Sequence, residues 1–279
     1  MLFGAHVSIA GGLINAPKNA ADLGCEVFQM FTRSPQGGFV APLDENIAKE
    51  FKSACKEFGQ KEWYVHTPYF INFASANPRI KHASIAVVRE ELERASLLGA
   101  KYLMTHLGSF ASLGKEKGFP QLIKSLDEML SGYKGKTKFL IEISAGAGEI
   151  IGGNFESIAE VINHPKLIKY DIDVCFDTQH AFASGYDLRD ASAVKITFDT
   201  FDKIIGLDKL KISHCNDSKT DCNSHSDHHA HIGQGKIGIE GFRALIADKR
   251  LTKVNFILET KPDAVKEDLE MLKKLRLSF

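Results

Sequence analysis

Three patterns along this sequence point to a parallel α/β barrel. Short apolar runs alternate with stretches of helical spacing from one end of the chain to the other. The runs are apolar throughout, as strands are when both faces of their sheet are covered. Eight strand-then-helix units fit within 279 residues, which is what a closed (β/α)8 barrel requires, and such barrels form a single domain, here spanning 1–279. An open doubly wound sheet is the alternative. In either architecture the active groups belong at the carboxyl ends of the strands.

The first strand is read at Phe3–Val7, Gly11-Gly12 as a loop, and Leu13–Leu23 as a helix closed by Gly24, the usual helix-ending residue. Val27–Thr32 is the second strand. After a loop with Pro35, Gly37 and Gly38, the spacing of Ile47, Phe51, Ala54 and Phe58 predicts a helix over Leu43–Phe58 that stops at Gly59. Trp63–His66 is the third strand. Its helix follows a long loop and opens at Asn77-Pro78, a capping residue with proline at the first helical position, then runs to Leu98 and Gly99. The pattern continues with strand Lys101–His106, helix Leu122–Leu130, strand Lys138–Ile143, helix Phe155–Ile162, strand Ile172–Asp177 and helix Ala193–Ile205. Strand Leu210–His214, helix Ile239–Asp248, strand Asn255–Glu259 and helix Ala264–Leu275 complete it.

Thirty-five basic and 35 acidic side chains cancel, so the chain is not a polybasic nucleic-acid or membrane-surface protein. Bound cations change that balance. Three divalent ions would add roughly +6 in one place, enough for a phosphate-binding cleft. The five cysteines are scattered, odd in number and without a C-x-x-C pair, which predicts free thiols in a reducing compartment. No basic leader and no run approaching ~18 apolar residues is found, so the expectation is an intracellular protein, not secreted and not in a membrane.

Six of the strands end the same way: an apolar run, then one histidine or carboxylate. These are His66, His106, Glu142, Asp177, His214 and Glu259. Taken singly, a histidine at a strand end is more often a hydrogen-bonded structural residue than a ligand. Glu142 and Glu259 are different, because a carboxylate closing an apolar run is costly to bury without a cation or hydrogen bonds. With His180 just after Asp177, seven such groups converge on one rim, more than the roughly four that one zinc ion takes. More than one metal follows, and imidazole with carboxylate suits zinc, manganese or iron. In the histidine-rich segment after the seventh strand, Asp227 and His229 lie two apart and face one side of an extended segment. His180 is a reasonable third ligand for an ion there. His225, His228 and His231 read as surface residues.

These segments resemble the endonuclease IV family of apurinic/apyrimidinic (AP) endonucleases: His66-Thr-Pro-Tyr69, His106-Leu-Gly-Ser109, Ile141-Glu142-Ile-Ser-Ala-Gly146, Phe176-Asp177-Thr-Gln-His180, His214-Cys-Asn-Asp217, Asp227-His-His229 and Leu258-Glu259-Thr. The matches run in order over essentially the whole chain, beginning at Gly4-Ala-His6-Val-Ser. The resemblance implies a TIM barrel with three zinc ions that acts as a monomer on double-stranded DNA, in base excision repair, cutting 5′ to an abasic site. His66, His106 and Glu142 would hold one zinc. Glu142 would bridge to a second, held by Asp177, His214 and Glu259, and would be the catalytic carboxylate through the water that the metals activate. His180, Asp227 and His229 would hold the third. A cytoplasmic location is implied, or a nucleus or organelle in a eukaryote.

For DNA contacts the resemblance points to Tyr69 and Phe70, matching a pair that enters the duplex, and such a wedge can offset lost stacking. Arg33 is a candidate phosphate contact. In the loop Ser34–Phe39, Gln36 stands nearest the place of an inserting arginine, and Gln179 and Leu107 replace a common cysteine and proline. Altered DNA affinity with intact chemistry is expected. Two other readings are weighed against this one. A sugar isomerase or epimerase of the same barrel superfamily would use Glu142, Asp177, His214 and Glu259 around one metal and leave the other five ligands without work. A catalytically idle barrel would bind damaged DNA or metal without cleaving.

Overall fold

Eight parallel strands close on themselves because every one is covered outside by helices and filled inside by its own alternate side chains. The computed structural model describes residues 1–38 and 40–278; Phe39, the end of the altered loop, lies outside them. In chain order the elements are β1 (Phe3–His6), α1 (Ala16–Leu23), β2 (Val27–Met30), α2 (Glu45–Glu57), β3 (Trp63–His66), α3 (Pro78–Leu98), β4 (Tyr102–Thr105), α4 (Gly114–Leu130), β5 (Lys138–Glu142) and α5 (Phe155–Ile162). Then come β6 (Asp173–Asp177), α6 (Thr178–Ala183), α7 (Ala191–Ile204), β7 (Leu210–His214), β8 (Asp217–Ser218), β9 (His229–Ala230), α8 (Gly238–Ala247), β10 (Asn255–Leu258) and α9 (Val265–Arg276). The barrel order is β1-β10-β7-β6-β5-β4-β3-β2, with β1 pairing β2 to close it. The predicted closed barrel is observed, and the open sheet is not.

Local chemistry sets the helix ends. Asp44, Asn77, Asn154 and Asp190 cap α2, α3, α5 and α7 by accepting backbone N–H bonds of the first turn, which those donors otherwise lack. Gly24 and Gly99 end α1 and α3 in the left-handed conformation. Gly4 is needed for closure: a Cβ there would lie 1.8 Å from the carbonyl oxygen of Val27 on β2.

Period-two alternation divides each strand between two cores. Phe28, Val65, Leu103, Ile141, Phe176 and Phe256 belong to the large outer core shared with the helices. Their neighbours Val27, Tyr64, Tyr102, Met104, Leu140, Cys175, Ile212 and Ile257 form a separate core inside the barrel, where Tyr64 stacks on Tyr102 with centroids 5.7 Å apart. Full burial of each such side chain contributes roughly 1.5–3 kcal/mol.

The structure departs from the sequence reading in four places. Helix α4 starts at Gly114 rather than Leu122, because Gly118 lies under the ring of Phe110, where a Cβ would approach to 2.5 Å: it is a packing glycine, not a break. The turn after the sixth strand is the short helix α6, capped by Asp177, so the α-helices number nine among the described residues. Strands β8 and β9 form a small antiparallel hairpin outside the barrel that no apolar run announced. Leu13–Asn15 is a 3-10 turn before α1.

Candidate metal centre

The same alternation places the polar groups. Two residues past an inward-facing apolar side chain comes another inward-facing position: Val27 leads to Gln29, Tyr64 to His66, Met104 to His106 and Leu140 to Glu142. Likewise Cys175 leads to Asp177, Ile212 to His214 and Ile257 to Glu259. With His6 at the end of β1, every barrel strand carries one such polar group within a residue of its carboxyl end, on the inner rim. Six were expected, while His6 and Gln29 were not; extending the period-two count to the first two strands would have found them.

Donor atoms within 4.8 Å of one another form three sets: His66, His106 and Glu142; Glu142, Asp177, His214 and Glu259; and Asp177, His180 and His229. Glu142 is shared by the first two sets, and Asp177 joins the second to the third. Asp227 stands at the edge of the third set, its carboxylate 3.4 Å from Nε2 of His180 and 3.3 Å from Nε2 of His229. His180 lies within the short helix α6, and its N–H donates to Asp177 at 2.8 Å. The cap therefore holds two candidate ligands in register.

Each of the five imidazoles has one nitrogen within hydrogen-bond reach of an uncharged protein group, and in His180 that nitrogen also lies 3.4 Å from Glu142. Nδ1 of His66 meets the carbonyl of Thr67 at 2.6 Å, that of His106 meets the Ser144 hydroxyl at 3.2 Å, and that of His180 meets the carbonyl of Ile143 at 2.9 Å. Nδ1 of His229 lies 3.3 Å from the carbonyl of Glu259, and Nε2 of His214 lies 2.8 Å from Oε1 of Gln29. Outer contacts of this kind fix the tautomer of metal-binding histidines. The opposite nitrogens face carboxylates, and Nε2 of His229 is buried without a hydrogen bond.

His214 tests whether these residues fit a cation. Its Nδ1 lies 2.9 Å from Glu142, 3.3 Å from Glu259 and 3.8 Å from Asp177. A ring that donates from Nε2 turns its Nδ1 lone pair on three carboxylates, and only a cation between them or a second proton on the ring satisfies that. Burial would lower the His214 pKa, but the Cys175 thiol and the carboxylates of Glu142 and Glu259 hold it well above its ordinary value. Glu142 answers in the opposite sense: burial would raise it, yet His106, His214 and His180 hold it well below the carboxylate range. The donor set therefore favours positive charge and fits divalent ions.

Above these groups a cavity of about 410 Å³ is lined by His6, His66, Tyr69, His180 and Asp227 among others. Beside it lies a second of about 430 Å³ with apolar walls from Phe70, Ile80 and Ile150. A larger groove of about 1040 Å³ lies at the strands' amino ends, lined by several lysines, and contains none of the donors.

The expected DNA contacts divide. Tyr69 is 72 % exposed and Phe70 38 %, both on the loop after β3, and Gln36 is exposed. Arg33, expected as a phosphate contact, is buried, with Nε 2.5 Å from Glu91 and Nη2 2.8 Å from Glu90, so its charge is paired within the protein. His225 and His228 are exposed as expected, but His231 is half-buried between Asp268 (2.7 Å) and Asp263 (3.3 Å). Asn216 was missed as well. Its amide donates to Asp177 at 2.8 Å, and its oxygen accepts the N–H of Glu259 at 2.7 Å. No apolar pattern marks such a residue.

A family model described as Xylose isomerase-like TIM barrel matches residues 17–275. A protein of Cenarchaeum symbiosum named "Probable endonuclease 4" is 38 % identical over 99 % of both chains. The crystal structure of endonuclease IV from Thermus thermophilus superposes with a TM-score of 0.87 at 31 % identity, covering 100 % of each chain. A D-tagatose 3-epimerase-like protein shares the fold, with a TM-score of 0.73 at 19 % identity over 99 % of this chain and 97 % of that one.

Proposed function

The chain belongs to the endonuclease IV family, and from that premise we propose that it is a zinc-dependent AP endonuclease of base excision repair. Residues 1–279 would act as one catalytic domain and as a monomer. The substrate is double-stranded DNA containing an abasic site. Water adds to the phosphorus on the 5′ side of that site, and the bond from phosphorus to O3′ breaks. The products are a 3′-hydroxyl and a 5′-deoxyribose phosphate, with no covalent enzyme intermediate.

The observation that carries this reading is the sharing of Glu142 and Asp177 among three donor sets on one rim. His66, His106 and Glu142 would hold the first zinc; Glu142, Asp177, His214 and Glu259 the second; His180, Asp227 and His229 the third. When bound, such ions acidify water and stabilise both the attacking and the leaving oxygen of an in-line displacement. The remaining roles belong to the chain. Glu142 offers one oxygen to each side, and Asn216 holds Asp177 against the main chain of Glu259. Tyr69 and Phe70 project from the loop after β3, where they support entry into the duplex at the abasic site. Four carboxylates against three dications leave a net charge of roughly +2, attractive to a phosphodiester.

The single-metal epimerase reading is not favoured, because its four residues leave His66, His106, His180 and His229 converging for no purpose. Purified protein loaded with zinc is expected to hold about three ions per chain and to nick a duplex with one abasic site. A loaded sample that leaves that duplex intact overturns the proposal, and one ion per chain without nicking supports the epimerase.

A further inference from the structure

We propose that Gln29 is a positioning residue of the metal centre, a single amide that decides which nitrogen of His214 and which face of Glu259 are presented to an ion. The inference rests on the metal-centre reading above. Gln29 is fully buried on β2, two strands from β10 and three from β7 around the barrel. Its Nε2 donates to Glu259 Oε1 at 2.7 Å and lies 2.9 Å from Nδ1 of His6, while its Oε1 lies 2.8 Å from Nε2 of His214.

The orientation of the amide is not free. An ionised carboxylate only accepts hydrogen bonds, so the NH2 group must face Glu259. The carbonyl then faces His214, whose Nε2 must carry the proton and whose Nδ1 lone pair is left toward Glu142, Asp177 and Glu259. The second amide hydrogen goes to Nδ1 of His6 and leaves the His6 proton on Nε2, a buried atom without a partner in the protein. One side chain thus sets three others on three strands, and a hydrocarbon of the same volume would set none. Glutamate keeps the shape and an acceptor for His214, but loses both donors and places a like charge 2.7 Å from Glu259.

The test compares wild type with Gln29→Leu and with the isosteric Gln29→Glu, which keeps the inference testable if the leucine variant does not fold. Each protein is loaded with zinc, freed of excess metal, assayed for bound ions and titrated with a chelator. Each is then reloaded with cobalt for its visible spectrum. Both variants are expected to lose one ion at a chelator concentration about 10–100-fold lower than wild type requires, with a changed cobalt spectrum and nicking restored by excess zinc. A residue that only fills space would shift thermal unfolding and leave ion count and spectrum alone. Variants that match wild type in chelator resistance and spectrum overturn this inference and leave the nuclease reading intact. A wild type that binds no divalent ion overturns both.

Discussion

Replacing Glu142 with glutamine preserves the outline of the side chain and removes one charge from the place where two donor sets meet. Oε2 of Glu142 lies 2.8 Å from Nε2 of His66 and 3.5 Å from Nε2 of His106. Oε1 lies 2.9 Å from Nδ1 of His214 and 3.4 Å from Nδ1 of His180. An amide has one oxygen and one nitrogen, so whichever way it turns, one of the two sets loses its shared oxygen donor. Unit charges about 4 Å apart interact by roughly 4 kcal/mol at an effective dielectric of 20, and a dication doubles that to about 8. If the surviving amide oxygen and the other ligands recover about half, roughly 4 kcal/mol of transition-state stabilisation is lost, about a thousandfold in turnover at roughly 1.36 kcal/mol per decade. Single-turnover nicking of an end-labelled abasic duplex measures this directly. Binding of the same duplex, followed by anisotropy, should change by less than about threefold, because Tyr69 and Phe70 stand on a loop the substitution does not touch. Nicking within tenfold of wild type at unchanged metal content would refute the bridging role.

Three further outcomes are expected. Tyr69→Ala removes a ring that is 72 % exposed, so stability should move by under about 0.5 kcal/mol. Its preference for abasic over intact duplex should fall about tenfold in competition binding, the scale of one lost stacking contact; an unchanged preference would remove Tyr69 from the duplex wedge. Asp217→Asn strikes the loop that carries Asp227 and His229: Oδ1 accepts the N–H groups of Ser218 and Ile237, and Oδ2 those of Gly233 and Gly235, at 2.7–3.0 Å. The new NH2 must oppose two of those donors, costing about 3 kcal/mol or more and lowering Tm by roughly 6–12 °C by calorimetry; a shift under about 2 °C would show that the cradle does not hold the loop. Glu26 ties β1 to α9 through Arg276 at 2.8 Å and the N–H of Phe3 at 3.0 Å. Burial would raise its pKa, but these bonds hold it below the ordinary 4.5, so its contribution is complete above that value and is lost as pH falls through the depressed one. Glu26→Gln should therefore cost about 1 kcal/mol at pH 7, discounted for partial exposure, and the gap from wild type should close on acidification below about pH 4; a gap that widens in acid would contradict the sign.

Much of the candidate site was legible because alternation is a local property. An apolar run that ends in one histidine or carboxylate fixes which face of the strand that residue shares, so His66, His106, Glu142, Asp177, His214 and Glu259 could be assigned to one rim before any coordinates. The same rule was not carried to His6 and Gln29, since glutamine closing a strand does not look like a ligand. It is not one; its contribution is to orient others, and orientation depends on what lies across the barrel. The pairing of Arg33 was hidden for the related reason that a guanidinium in a loop looks free until α3 brings Glu90 and Glu91 against it. Helix α6 and the hairpin of β8 and β9 are too short to show a period, and only the cap by Asp177 and the cradle of Asp217 define them.

Periodicity and residue type act within a few residues of chain, and they set the alternation of strands and helices, the parallel sheet that this demands, and the chemical character of the rim. Tertiary closure alone decided that Glu142 and Asp177 are each shared between donor sets, that Asp227 reaches both His180 and His229, and that one amide on β2 governs groups on β7 and β10. Those relations join residues up to 230 positions apart. They depend on shear, register and loop path, quantities fixed only when eight strands meet.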